Sequence, residues 1–231
     1  TNDYNDDINT RSLYTNWLAG GSSYIPNKEG LRVPIELTLG VHSDTGVKAD
    51  GTTVGTLSIC TTQQGNPTLG TGLSRNASQV FANQLVTNAK RDIEGTFKKV
   101  WNTRGVKDAN YSETRLPEVP SAIIETLSHQ NFGDMKLGQD PNFKFTLARS
   151  IYKSILRHTA SLHKRPYIVQ PLAPDNFRIE YVSKDKVRLK WNGVNDPLEP
   201  TAKPTSYNIY MATGTSGCDN GVNVNGNSYE I

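Results

Sequence analysis

The 231 residues carry 25 basic and 22 acidic side chains, a net charge of +3, with 35% hydrophobic and 20% charged residues. That length holds one sizeable domain plus part of another. The two signs of charge are scattered along the chain, which excludes the concentrated basic footprint of a nucleic-acid binder. No window approaches the ~18 uninterrupted apolar residues of a membrane span.

Cys60 and Cys218 stand far apart and form neither a short-spaced metal pair nor a disulfide framework. Both read as small buried or semi-buried thiols. The chain opens "TNDYNDD", with no initiator Met, basic n-region or apolar h-region. The expectation is a chain whose signal peptide has been removed, or a fragment.

In chain order, Ile8, Leu13, Trp17 and Leu18 recur near every fourth position and predict a short helix within residues 1–19. "GGSSYIPNKEG" is a loop. "LRVPIELTLGVHS" predicts a strand delivering His42 and Asp44 into a Gly-bounded turn, and "TVGTLSICTT" (53–62) predicts a second. A loop, "QQGNPTLGTGL", precedes a long helix with Ser74 as N-cap and Ala77, Phe81, Leu85, Ala89, Ile93 and Phe97 on one face.

"RGVKDANYSETR" reads as a turn followed by a short strand, and "SAIIETL" as a buried strand carrying Glu125. Asp140-Pro141 starts another helix, with Phe143, Leu147, Ile151 and Ile155 repeating along it. Strands alternating with long amphipathic helices predict an α/β domain with a mixed, largely parallel sheet flanked by helices. Three prolines interrupt the pattern in residues 163–177. Beyond them "FRIEYV", "KVRLKWNGV" and "SYNIYMATG" alternate with a period of two, as an all-β module does. The expected organisation is an α/β domain at 1–165, a linker at 166–175 and a β-sandwich at 176–231.

Three stretches carry a resemblance. "RVPIELTLGVHSDTG", "RGVKDANYSETRLPEVPSAIIETLSHQNFGD" and "DPNFKFTLARSIYKSIL", in that order, are similar to the second half of zinc-dependent N-acetylmuramoyl-L-alanine amidases. The match spans roughly residues 1–160. It implies that His42 is a zinc ligand and Glu125 the catalytic carboxylate. It also implies cleavage of the amide between N-acetylmuramic acid and L-alanine in peptidoglycan, in an extracytoplasmic setting. The family takes a histidine and a glutamate, two further zinc ligands, from a segment before the matched stretch. No histidine precedes His42 here. The other ligands are therefore expected upstream of residue 1, and this chain alone is expected to bind zinc weakly and to be inactive. The tail "APDNFRIEYVSKDKVRLKWNGVNDPLEPTAKPTSYNIYMA" resembles a fibronectin type III domain, with Trp191 on one strand and "YNIYM" on another. An immunoglobulin-like sandwich of that kind has about seven strands; three or four fit before Ile231, so a partial one is expected.

The chemistry agrees with the transfer. Ligands of open α/β sheets sit beyond the carboxyl ends of strands, and a zinc site with three protein ligands and an open position supplies activated water to a neighbouring carboxylate. Glu125 among Ile123, Ile124 and Leu127 is expected to have a raised pKa unless metal or hydrogen bonds offset it. Taken alone, each residue has a plainer reading: His42 as a hydrogen-bonded surface histidine, Glu125 as a solvated or salt-bridged carboxylate.

Asp44 fits a partner orienting His42 and equally its own Asp-Thr-Gly turn. His129 fits the pocket or, preferably, a turn shared with Asn131 and Asp134. Arg104 and Arg115 suit a substrate carboxylate. His158 and His163 read as surface residues near a helix C-terminus, and "NAS" at 76–78 as a chance glycosylation pattern in a helix start. Two competing functions stay open: a polysaccharide lyase, and a non-catalytic cell-wall or glycan-binding protein that keeps the fold without the metal.

Overall fold

A computed structural model describes residues 3–63 and 67–231. Residues 64–66 of the expected glycine-rich loop lie outside the described residues. The chain divides into two compact units, 1–165 and 166–231.

The first unit begins with α1 (Asp3–Ala19), longer than the short helix expected. Strands β1 (Thr38–Asp44) and β2 (Thr56–Cys60) follow. Next come α2 (Asn76–Phe97), β3 (Thr103–Asp108), a single helical turn α3 (Ser112–Arg115) and β4 (Ser121–Ser128). Helices α4 (Phe132–Gly138) and α5 (Pro141–Leu162) complete it. The sheet order is β1-β4-β2-β3; β1 runs parallel to β4, β4 antiparallel to β2, and β2 parallel to β3. The architecture is the mixed, largely parallel α/β sheet that the alternation of elements predicts.

Two local expectations change. "RGVKD" is strand rather than turn, and "SETR" is helix rather than strand. Helix α2 starts one residue after Arg75, which sits at the cap position with helical dihedrals. Ser74 still serves the helix end, because its Oγ accepts the Asn76 N–H at 3.3 Å. At α5 the reading holds in detail: Asp140 accepts the Asn142 N–H at 2.8 Å, and Pro141 occupies the first turn, where no N–H is needed.

The strand period of two sorts β4 between two faces. Ala122 and Ile124 pack with Cys60, Phe81 and Leu85 beneath α2 and α5. Ile123 turns the other way, against Leu57 and Ile59. A second cluster, Ala89, Ile93, Trp101, Phe143 and Leu147, welds α2 to α5. Glu125 has the parity of Ile123 and so leaves the helix-covered face. Cys60 is buried, and burial with nearby Asp108 pushes its thiol up to about 11; Cys218 is exposed, against the expectation of a buried or semi-buried thiol.

His158 also departs from its reading. It is buried rather than on the surface, with its ring 5.0 Å from that of Phe81. Helix α5 turns that side inward because its apolar stripe packs on α2. The same interface holds a buried ion pair, Lys153 Nζ to Asp92 Oδ2 at 2.5 Å, and Asn88 Nδ2 donates to Ser154 Oγ at 2.8 Å.

The second unit has a three-stranded antiparallel sheet of β5 (Asp175–Ser183), β6 (Lys186–Asn192) and β9 (Ser228–Glu230), in that order. A separate two-stranded sheet pairs β7 (Tyr207–Ile209) with β8 (Val222–Val224). Of the expected strand "YNIYM" only Tyr207–Ile209 is extended in a ladder. Trp191 and Tyr207 meet edge to face at 5.2 Å between centroids. No helix among the described residues is long and apolar enough to cross a membrane.

Candidate functional site

The site face is built by register. His42 pairs with Glu125 across β1 and β4, and Leu57 of β2 stands opposite Glu125 on the other side. Directly paired residues of neighbouring strands share a face. His42 and Glu125, 83 residues apart in sequence (125 − 42), therefore point the same way from adjacent strands. Past His42 the register shifts, so that Asp44 pairs with Ser128.

A second bulge brings in Arg104. Thr56 pairs with Thr103 but Ser58 pairs with Val106, so β3 carries one extra residue there, and Gly105 takes a left-handed φ of 71°. Without that bulge Arg104 and Val106 would share a face. With it, Val106 packs into the helix-covered core while Arg104 turns to the site. There its Nη1 donates to Asp44 Oδ2 at 2.5 Å, spanning the end of the sheet from the far strand.

Asp44 also accepts the Thr45 N–H at 2.7 Å. Burial works against ionisation of Asp44, but the Arg104 hydrogen bond and the Thr45 N–H outweigh it and hold the carboxyl below its usual range. Asp44 thus serves its own turn and holds Arg104, and the partner of His42 is a different residue. His42 Nε2 lies 3.0 Å from Glu113 Oε2, and Glu113 Oε1 accepts from Arg11 Nη1 at 3.0 Å. Glu113 was invisible to spacing arguments, because its segment reads as strand and only the helical turn α3 lifts it over the sheet.

Glu125 is the electrostatically unusual member. Its Oε2 is buried with no hydrogen-bond partner among the described residues. Burial pushes its carboxyl above the usual range, Asp44 and Glu113 push further, and His42 and Arg104 pull back.

The remaining sequence candidates are placed nearby or elsewhere. His129 Nδ1 lies 3.1 Å from Ser43 Oγ at the rim. Asn131 and Asp134 are buried and form a clamp: Asp134 accepts the N–H groups of Val54 at 2.7 Å and Gly55 at 2.8 Å, and Asn131 Nδ2 donates to Thr52 O at 2.8 Å. They fix the loop before β2 against the end of β4. Arg115 Nε donates to Asn110 Oδ1 at 2.6 Å, a contact local to the β3–α3 connection. His163 lies 2.8 Å from Glu36 at an exposed position.

Zinc, which the resemblance implies, can be tested against these donors. His42 Nε2 already faces Glu113, and Glu125 stands beside His42 on the neighbouring strand. No group of three or more His, Cys, Asp or Glu placed to hold a metal exists among the described residues. A zinc site needs three or four such donors. The donor set present does not fit zinc by itself.

No family model and no curated protein matches this chain. Solved structures do. The CwlD amidase from Clostridioides difficile, determined in complex with the GerS lipoprotein, is similar at 18% identity and a TM-score of 0.42, over 55% of this chain and 56% of that one. The N-acetylmuramoyl-L-alanine amidase AmiC2 of Nostoc punctiforme is similar at 15% identity and a TM-score of 0.44, over 56% and 61%. Ami1 from Mycobacterium smegmatis, another amidase of that name, is similar at 17% identity and 0.40, over 55% and 55%. The chain thus spans under two thirds of the length of each structure it resembles.

Proposed function

We propose that residues 1–165 belong to a peptidoglycan hydrolase that cleaves the amide between N-acetylmuramic acid and L-alanine, outside the cytoplasm. The observation that carries this reading is the buried Oε2 of Glu125, without a hydrogen-bond partner among the described residues, beside His42 on the paired strand. The ordered motifs around both residues support it.

In this reading Glu125 is the general base. A carboxylate with a raised pKa takes a proton from the attacking water and returns it to the leaving amine nitrogen, since its affinity for the proton is closer to that of the groups it serves. His42 borders the reacting amide, and Arg104, held by Asp44, supplies a fixed positive charge on the same face. Zinc, which the resemblance assigns to His42, enters this reading only with donors beyond those of the described residues. Its chemistry when bound is to lower the pKa of a water and polarise a carbonyl. The β unit would act as a spacer or docking module on the cell wall.

The test is release of L-alanine amino termini from purified peptidoglycan by the natural polypeptide and by Glu125→Gln, with zinc content measured in the same preparations. Loss of at least about 100-fold in rate with unchanged metal content is expected for removal of a general base. Equal rates would overturn the role of Glu125, and intact peptidoglycan in both would overturn the function.

One observation favours a second reading. The incomplete donor set fits a glycan-binding protein that keeps the fold without the metal. Co-sedimentation with peptidoglycan without any cleavage would select it.

A further inference from the structure

His42 has two ring nitrogens, and the structure treats them differently. Nε2 lies 3.0 Å from the Glu113 carboxylate. The same edge of the ring folds back along β1 over Gly40, where an added Cβ would come within 3.2 Å of Nε2 and 3.4 Å of Cδ2. Gly40 and His42 are two apart on one strand and share a face, so a side chain at position 40 would crowd the ring and Ile123 Cγ1 alike. Glu113 is itself held from behind by Arg11 of α1, at 3.0 Å through its other oxygen.

The geometry points to Glu113 as the positioning residue of His42, fixing the neutral tautomer that carries its proton on Nε2 and leaving Nδ1 as the lone-pair nitrogen of the site. An ionised carboxylate can only accept, so the nitrogen facing it must be the protonated one. The hydrogen bond made by one ring nitrogen decides what the other can do. Nδ1 is then the atom that meets an N–H or O–H donor of the substrate, or any electron-pair acceptor that enters. Arg11, Glu113 and His42 form a relay from α1 through α3 to β1, and Gly40 keeps its path open. The catalytic consequence rests on the proposed function; the tautomer does not.

The groups facing His42 are Glu113 from α3, Glu125 from β4 and, across the end of the sheet, the Asp44–Arg104 pair. Glu125 points from the neighbouring strand on the same face, so a tautomer with the proton on Nδ1 would have to turn the lone pair of Nε2 toward the Glu113 carboxylate. That arrangement sets two acceptors against each other.

The experiment is nitrogen-15 NMR of histidine-labelled chain at a pH where His42 is neutral, assigned with His42→Gln. In wild type the Nε2-protonated form should dominate. Glu113→Ala should lower the ratio of the two tautomers by roughly tenfold, as expected on losing a charge-assisted hydrogen bond. Glu113→Gln, whose amide oxygen still accepts, should restore most of it. Arg11→Ala, which leaves Glu113 in place but unanchored, should have a partial effect and guards against a misfolded Glu113 variant. An Nδ1-protonated form in wild type, or an unchanged ratio in folded Glu113→Ala, would overturn the assignment. The tautomer is read without substrate. A chain with the expected tautomer and no peptidoglycan cleavage therefore sinks the proposed function alone, and cleavage with an unchanged ratio sinks this inference alone.

Discussion

The two units of the chain solve the same packing problem with different resources. The first surrounds Trp101, Phe81, Phe143, Leu85 and Ile124 completely, and it has enough apolar contact to carry a buried ion pair between its two long helices. The second, 66 residues long (231 − 165), buries only Val169, Leu189, Trp191 and Ala202 among its hydrophobic side chains. Its strand β5 leaves Phe177, Ile179 and Tyr181 exposed, although Ile179 stands directly beside the buried Leu189. A short chain encloses a small fraction of its surface. The first unit accordingly encloses a whole ion pair, whereas the buried charge of the second is Glu199, whose carboxylate accepts from the neighbouring Thr201 Oγ1 at 3.0 Å.

The comparison breaks most sharply at Lys153. Lys153→Met removes one partner of a pair in which both side chains are almost fully enclosed, and leaves Asp92 to the half-exposed Arg91 at 2.8 Å. A loss of about 3–5 kcal/mol is expected, the usual result of stranding a buried charge. Denaturant unfolding followed at α2 and α5 reads it. A loss below 1 kcal/mol would mean that water reaches the interface.

Asp134 is next. Asp134→Ala strips the acceptor from the Val54 and Gly55 N–H groups, both buried. A cost of about 2–3 kcal/mol follows from unsatisfied buried donors. Hydrogen exchange should show those two amides opening while those of β4 at Ile123 and Ile124 stay protected. Uniform loss of protection would make the clamp global rather than local.

Glu125 acts in the opposite direction. Burial raises its pKa in the folded chain. Stability linked to it is complete below the unfolded carboxyl value and is lost as pH rises through the higher folded value. Glu125→Gln escapes that loss, so the variant should equal wild type near about pH 4 and exceed it by about 1 kcal/mol at neutral pH, the scale of a buried unpaired polar group. Equal stability at both pH values would mean that Oε2 finds a partner in solution.

The smallest effect belongs to the second unit. Ile179→Thr on exposed β5 should change stability by less than about 0.5 kcal/mol, as surface positions do. A larger loss would show that the β5 face is covered in solution.

Much of this arrangement was readable from the chain alone. The four-residue stripes Phe81–Leu85–Ala89–Ile93 and Phe143–Leu147–Ile151 identify the two core helices, because a helix must bury one side. Asp140-Pro141 marks a helix start for a purely local reason. The run Ser121–Leu127 announces a buried strand, and the fold class follows from the alternation of these patterns. His42 and Glu125 also stand out in the sequence, each following an apolar run.

What the chain alone could not give is who meets whom. His42 faces Glu113 rather than Asp44 because α3 folds over the sheet, and its sequence reads as strand. Arg104 reaches Asp44 because a single extra residue at Gly105 reverses its side relative to Val106, a parity that only the pairing partner defines. His158 is buried because α2 covers it, and nothing in α5 records the position of α2. Local conformation depends on neighbours within a few residues, so sequence determines it; the His42–Glu113 contact and the Arg104–Asp44 span join residues 71 (113 − 42) and 60 (104 − 44) positions apart, and only the folded sheet decides them.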